Sequence, residues 1–256
     1  MPRPELRTCL LVIFVSVQCW SQQNLPLAHQ DPKAVSIVSR ALDVAGGIQA
    51  IKAIEDFTAS GTITYHLGHD FQGSVSVRGA GLDLLRFDAS LPGGVRTEVT
   101  SQGEVRLKTE EGSVALISSQ APLAPPRFVL PYLLLAPVLG SPGYRISYKG
   151  IAQVGGKPTH DIQVQLVIPG LDDRNAGNRD RFTVDFFIDA STFLVLMMQD
   201  VVHEHRTRQI LYSDYRIVRG LSVPFSIEQK GGYQPCSIRV NQISFNSGLQ
   251  ESDFNL

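Results

Sequence analysis

Hydrophobic positions along the chain follow two different periods, and the change falls near residue 56. Before that point they recur every three or four residues, the spacing of an amphipathic helix, in a stripe made of Ala34, Val35, Val38, Ala41, Leu42 and Ala45. Asp31-Pro32 in front of the stripe is typical of an N-cap and first helical residue, and Gly46-Gly47 behind it is typical of a helix end. The pattern predicts one helix over 32–45 and a second short helical turn over 48–54.

From residue 56 onwards apolar and polar residues alternate, for example along 57–65, 144–149 and 221–227. A period of two is typical of strands that bury one face. Turn signals rich in glycine and proline, such as 91–94, separate these runs. The chain is therefore predicted to be mainly β (α+β), with a large antiparallel sheet of about 10–12 strands and an N-terminal helix.

Two segments interrupt the alternation. Residues 121–142 contain six prolines around a leucine-rich centre at 128–139, which is too rich in proline for a central strand. We expect a short, broken helical element there, packed on apolar surface as a second cover of the sheet. Residues 168–181 consist of turn formers and charged residues, which predicts a solvated loop.

The first 21 residues have the pattern of an export signal. Arg3 and Arg7 precede a short apolar run, 10–17, which is shorter than the roughly 20 residues that a membrane-spanning helix needs. We predict a cleavable signal peptide over 1–21, an N-terminal tail over 22–30, a single domain over 31–256 and a periplasmic location. The alternative, a lipid anchor on Cys19, is disfavoured by Gln18 in front of it, where small residues are typical.

Composition narrows the function classes. Lys and Arg number 23 and Asp and Glu 24, so the chain lacks the positive surface that nucleic-acid binding requires. No membrane span is predicted after residue 21, and Cys236 is the only cysteine left there, predicted to be a buried structural thiol. No G-x-S-x-G motif or phosphate-binding glycine loop occurs, so we predict no enzyme, no catalytic residues and no cofactor.

Two polar clusters are candidates for metal binding. His203 and His205 share one strand face, which is how two imidazoles begin a zinc or copper site, but a third ligand would have to come from elsewhere. The carboxylates Asp172, Asp173 and Asp180 lie among arginines and lack the spacing of a calcium loop. We interpret both as solvated turns and predict no metal.

Three stretches resemble the lipoprotein-carrier-like (LolA/LolB-like) family of bacterial outer-membrane lipoprotein-sorting proteins. They are ALDVAGGIQAIKAIEDFTASGTITY (41–65), YSDYRIVRGLSVPFSIEQ (212–229) and IRVNQISFNSGLQESDF (238–254). The likeness covers most of 32–254 in order of elements, and its motifs are structural. Arg86 lies where relatives often have a strand arginine, and the resemblance implies no role for it.

The resemblance implies a curved antiparallel half-barrel with an apolar concave face and helices across its mouth. Its implied function is that of an exported, soluble protein that binds a lipid or acyl chain, as a carrier of lipoproteins or lipids. Partners would then be that hydrophobic ligand and envelope proteins that donate or accept it. The alternative is an envelope structural or interaction protein of the same fold that transfers no ligand.

Alternation also predicts which residues form the cavity wall. We expect an apolar groove with no charged residue at its floor, because one helical stripe is too narrow to cover so large a sheet. The run 193–198 is apolar on both faces, which fits either a central strand covered on each side or a cavity wall with adaptable methionines. The predicted wall residues are Phe57, Ile63, Tyr65, Val75, Val77, Phe186, Phe193, Val195 and Met197.

Overall fold

The fold is seen in a computed structural model of the chain. The structure describes residues 30–101, 104–119, 128–167, 183–202, 206–232 and 234–256. The predicted signal peptide, most of the predicted tail, residues 121–127 of the predicted second cover, the predicted loop 168–181 and the His203/His205 pair lie outside these ranges, so they stay predictions.

Thirteen strands and three α-helices make up the described part of the chain. The helices are α1 (Pro32–Val44), α2 (Ile48–Lys52) and α3 (Pro131–Leu135), and a 3-10 turn covers Glu251–Phe254. The strands are β1 Asp56–Leu67, β2 His69–Ala80, β3 Leu84–Leu91, β4 Gly94–Ser101, β5 Glu104–Lys108, β6 Val114–Ser119, β7 Tyr144–Val154, β8 Lys157–Leu166, β9 Thr183–Asp189, β10 Val195–Val202, β11 Arg206–Val218, β12 Leu221–Gly231 and β13 Cys236–Phe245.

All thirteen strands belong to one antiparallel sheet in the order β6-β5-β4-β3-β2-β1-β13-β12-β11-β10-β9-β8-β7. The chain builds one half outwards from β1 to β6, crosses to the opposite edge, and returns by hairpins from β7 to β13 beside β1. The sheet stays open, with β6 and β7 at its edges. The predicted mainly β fold with helical covers is confirmed, with one strand more than the upper estimate.

Helix α1 begins and ends as its sequence predicts. The Asp31 carboxylate accepts hydrogen bonds from the amides of Lys33 at 2.8 Å and Ala34 at 3.5 Å. Gly46 ends the helix with a φ of +120°, and a Cβ there would lie 2.6 Å from the Gly220 carbonyl oxygen. Glycine is therefore required both for its backbone conformation and for the close approach of the β11–β12 turn.

The helices cover one face of the sheet. Residue 31 donates its amide to the Ile146 carbonyl on edge strand β7, and the Ser222 amide on β12 donates to the Ala45 carbonyl after α1. Helix α1 therefore crosses the face from one edge strand towards the middle. It buries Ala34, Ile37, Val38, Ala41 and Leu42 against that face. We call this covered face the core face.

The segment after residue 128 supplies the second predicted cover. Phe128 contacts the ring of Phe57 at 5.9 Å between centroids, and Leu135 of α3 is completely buried. Pro131 starts α3, where its missing amide costs no helical hydrogen bond. Cys236 on β13 is buried, as predicted, and no helix in the described ranges is long and apolar enough to cross a membrane.

Candidate functional site

Most of the predicted wall residues meet on the core face. Strand register pairs Phe57 with Gly79, Ala59 with Val77, and Tyr65 with Phe71, so β1 and β2 present these side chains on one side. This places together the predicted residues of β1 and β2, which are Phe57, Ile63, Tyr65, Val75 and Val77. All five are buried in the same cluster as α1 and α3.

In the β9–β10 hairpin, Val195 and Met197 lie on opposite faces of the sheet, although alternation predicted one face for both. Phe186 and Val195 join the main core, but Met197 lies in a different cluster with Val154 and Phe187. The register shifts between Val195 and Met197, so Met197 pairs with Phe187 on the other side of the sheet. Met197 is therefore not part of the core face, because the bulge reverses the alternation on which its assignment depended.

Phe193 lies at the turn before β10, with a φ of +59°. Its side chain is half-buried and packs against the edge of the core, where its ring faces that of His160 at 6.1 Å between centroids. It belongs to the rim of the core face and not to its middle.

The centre of the core face is packed. Ile63 and Val195 have no exposed surface and Phe186 retains 2%. The helices fill the place where the sequence predicted open apolar surface, because α2 and α3 add to the narrow stripe of α1. Space is instead found at one end of the half-barrel, the end where β1 starts and β2 finishes.

At that end lies a hollow of about 170 Å³, which we call the groove. Its apolar wall comes from α2, the start of β1, the β2–β3 turn and α3. The apolar side chains that line it are Ile51, Ile54, Phe57, Leu82, Leu133, Ala136 and Pro137. A second hollow of about 20 Å³ adjoins it, shares Ile51, Ile54 and Leu133, and extends towards Leu221 and Phe245. Phe57 is the one predicted wall residue that lines the groove.

One rim of the groove carries Lys52, Glu55 and Asp56, and the strand end behind it is tightly fixed. The Asp56 carboxylate accepts hydrogen bonds from the amides of Ser247, Gly248 and Leu249 at 2.6, 2.8 and 3.1 Å. These bonds tie the segment after β13 to the start of β1. The rim is therefore a rigid frame, whereas α2 and α3 are single-turn helices that pack on it.

The core face carries a buried charge pair at the end opposite the groove. Arg208 on β11 donates to the Asp200 carboxylate on β10 through Nε at 3.0 Å and Nη2 at 2.5 Å. Asp200 pairs with Val184 in the register, and Val184 belongs to the main core. Both charged side chains are buried. A bidentate pair of this kind lets two charges occupy an interior at a tolerable cost.

Tyr132 fastens α3 to the sheet. The Val195 amide donates to its hydroxyl oxygen at 3.3 Å, and the Tyr215 hydroxyl donates to the Val195 carbonyl at 2.6 Å. Burial raises the pKa of Tyr132 to about 12, so its hydroxyl stays protonated at any physiological pH. The hydroxyl is the polar contact by which this cover meets β10.

We expect Tyr132→Phe to lower the free energy of unfolding by about 1–3 kcal/mol, because the buried Val195 amide loses its acceptor. Hydrogen exchange should show faster exchange at the amides of Val195 and residues 132–135. Tyr144→Phe is the control, since Tyr144 packs against the core from a partly buried position and makes none of these bonds. Equal exchange in the two variants would show that the hydroxyl does not hold the cover.

Arg86 has a structural role on the outer face. It forms an ion pair with Asp88 at 2.8 Å and donates to the Asn255 carbonyl, while Thr97 donates to Asp88 at 2.7 Å. The arginine thus holds the C-terminal 3-10 turn beside β3. Within the described ranges no group of three or more His, Cys, Asp or Glu side chains is arranged to hold a metal ion.

Sequence reasoning missed the groove residues from α2, the β2–β3 turn and α3. Their positions, such as Ile51, Leu82 and Leu133, are far apart in the chain, and each follows its own local pattern. The sequence did contain a signal for the face of the charged pair. Asp200 lies two residues after Met198 and Arg208 two residues before Ile210, so each shares a strand face with a core residue.

Comparisons with known proteins agree with this architecture. No protein-family model matches the chain, and no curated protein matches it in sequence. Among solved structures it is similar to a LolA superfamily protein of Nitrosomonas europaea, with a TM-score of 0.56 and 10% identity over 87% of this chain and 97% of that one. A DUF1329 family protein of Desulfovibrio piger gives a TM-score of 0.53 and 12% identity over 85% of this chain and 97% of that one.

A third structure, from Vibrio parahaemolyticus, is a domain named for outer-membrane lipoprotein sorting. Its TM-score is 0.52 at 13% identity, over 87% of this chain and 96% of that chain. At such identities the likeness concerns the fold, and the chain has the LolA-like fold that its sequence resembles.

Proposed function

We propose that this chain is an exported, non-enzymatic protein that binds the acyl chain of a lipid on its core face, entering through the groove. The observation that carries the proposal is the groove itself, an apolar hollow between the rigid β1 frame and two short helices that cover the packed centre of the core face. The LolA-like fold, shared with a domain named for outer-membrane lipoprotein sorting, supports the same class of ligand.

The size of the groove indicates how binding would proceed. Sites for drug-sized ligands occupy about 300–1,000 Å³, and an engineered cavity of about 150 Å³ holds one benzene ring. At about 170 Å³ the groove accepts only the end of an acyl chain. Further entry requires α2 and α3 to move away from the core face. Each methylene then buried contributes about 0.8 kcal/mol, which offsets the cost of displacing the cover.

Leu82→Asp is expected to weaken uptake of a fluorescent fatty acid by about tenfold or more, since it places a charge on the wall that the chain must pass. Leu67→Asp is the matched control. Leu82 lies in the β2–β3 turn and Leu67 is the last residue of β1, so they stand at opposite ends of β2. They are 46% and 42% exposed, so neither change should affect folding. Fluorescence titration of the purified protein measures the difference.

The Tyr132 anchor gives a second readout. If entry needs displacement of α3, Tyr132→Phe should speed uptake in stopped-flow measurements while Tyr144→Phe leaves it unchanged.

Equal weakening by Leu82→Asp and Leu67→Asp would contradict the groove as the entrance. Absence of uptake by the wild-type protein would contradict lipid binding altogether.

The second candidate is an envelope structural or interaction protein without a ligand. The packed centre favours it, because Ile63 and Val195 leave no free surface in the closed form. Native mass spectrometry of the purified protein separates the two candidates: a bound lipid supports the carrier, and a bare chain supports the structural protein.

A further inference from the structure

Five side chains form a continuous row between α1 and the β7–β10 side of the sheet. The Lys33 ammonium lies 3.8 Å from the centre of the Tyr148 ring, and the Arg40 guanidinium carbon lies 5.6 Å from that of Phe193. His160 stands between the two aromatic rings, with centroid distances of 5.9 Å to Tyr148 and 6.1 Å to Phe193. We call these five residues the cation–aromatic row.

Both cations of the row are exposed and available to an anion. Lys33 and Arg40 are seven residues apart on α1, which puts them on one side of the helix and about 10 Å apart along its axis. Their long side chains can converge on one group between them. Within the described ranges neither forms an ion pair.

The carboxylate nearest to Lys33 in sequence, that of Asp31, is already engaged. Asp31 accepts from the amides of Lys33 and Ala34 as the N-cap of α1 and from the amide of Tyr148 at 3.3 Å. It therefore anchors the start of α1 to β7, and both cations of the row are exposed.

His160 supplies an independent indication that the row is incomplete. Its Nδ1 atom is buried and has no hydrogen-bond partner in the structure. When Nδ1 carries the ring hydrogen, this unpaired buried N–H costs free energy that an incoming oxygen atom would recover. Burial, and then the charge of Lys33, lower the pKa of His160, so the imidazole is neutral in the free protein. An anion beside it would favour the charged form and raise that pKa.

We propose that the cation–aromatic row binds the phosphate of a phosphate ester, with Lys33 and Arg40 as the charged ligands and His160 Nδ1 as a hydrogen-bond donor. Phosphate fits because it offers several strong acceptor oxygens to donors of different elements. Lipid head groups and soluble esters both carry this phosphate, and the row recognises only the shared group. This goes beyond acyl binding in the groove and does not depend on it.

The test compares two double variants of equal charge change. Lys33→Gln with Arg40→Gln removes the row cations, and Arg145→Gln with Lys157→Gln removes two exposed cations of β7 and β8 outside the row. Binding of sn-glycerol 3-phosphate is measured by calorimetry at about 0.15 M salt, which screens diffuse attraction. Vesicles of phosphatidylcholine with and without phosphatidylglycerol are measured by sedimentation.

The row variant is expected to lose affinity for the phosphate ester by about tenfold or more, because it loses hydrogen bonds to a charged group. The control variant should bind like wild type. In wild type, NMR titration of His160 should show its pKa rising with the phosphate ester. Binding of the soluble ester alone identifies a soluble source, and binding of phosphatidylglycerol vesicles alone identifies a head group.

Equal losses in both double variants, or no binding of either probe by wild type, would overturn the proposal. Leu82→Asp should leave phosphate binding unchanged, which separates this result from failure of the groove.

Discussion

Replacing Arg208 with alanine is expected to lower the free energy of unfolding by about 3–5 kcal/mol, as removal of one partner of a buried ion pair does. The Asp200 carboxylate would remain buried on the core face without the guanidinium that now gives it two hydrogen bonds at 3.0 and 2.5 Å. Desolvation of that carboxylate is then uncompensated. Urea unfolding followed by circular dichroism measures the change.

Two variants decide whether burial is the cause. Arg106→Ala removes an arginine that pairs with Glu104 at 3.0 Å across exposed surface, so it should change stability by about 1 kcal/mol or less. The double variant Asp200→Leu/Arg208→Met removes both charges from the core face and should recover most of the loss. A double variant as unstable as Arg208→Ala would show that packing of the side chains, not the unpaired charge, accounts for the effect.

The sequence predicts those parts of the fold that depend on neighbouring residues only, such as helix ends and strand alternation. Helix α1 follows from Asp31, the apolar stripe and Gly46, and each contributes where the pattern places it. The strands follow because one face of the sheet meets water over most of its area, which forces alternation along β1. Hairpin connections determine most neighbours, whereas the β1–β13 pairing joins strands from opposite ends of the domain and has no local signal.

The face of Met197 could not be predicted, because the run 193–198 is apolar throughout and carries no alternation to count from. The bulge at Val195 moves Met197 to the opposite side, and no residue in the run signals it. The groove is equally hidden, since Leu82 and Leu133 meet only after the chain crosses from β6 to β7. Contacts between segments so distant in sequence depend on the complete fold rather than on local pattern.

Ile63→Ala is expected to destabilise the protein by about 2–5 kcal/mol, the range for truncating a fully buried isoleucine. Ile63 has no exposed surface and lies on β1 between Gly73 of β2 and Ile238 of β13, in the middle of the sheet. Gly73 beside it offers no side chain to move into the space, so a cavity should persist.

Thr62 is the adjacent residue and lies on the other face, so Thr62→Ala should cost less than about 1 kcal/mol of stability. Thermal and urea unfolding of both variants measure the difference, and equal losses would contradict the assignment of Ile63 to the core face. Aspartate at Ile63 is expected to prevent folding, so the role of this position in ligand uptake has to be tested from the groove.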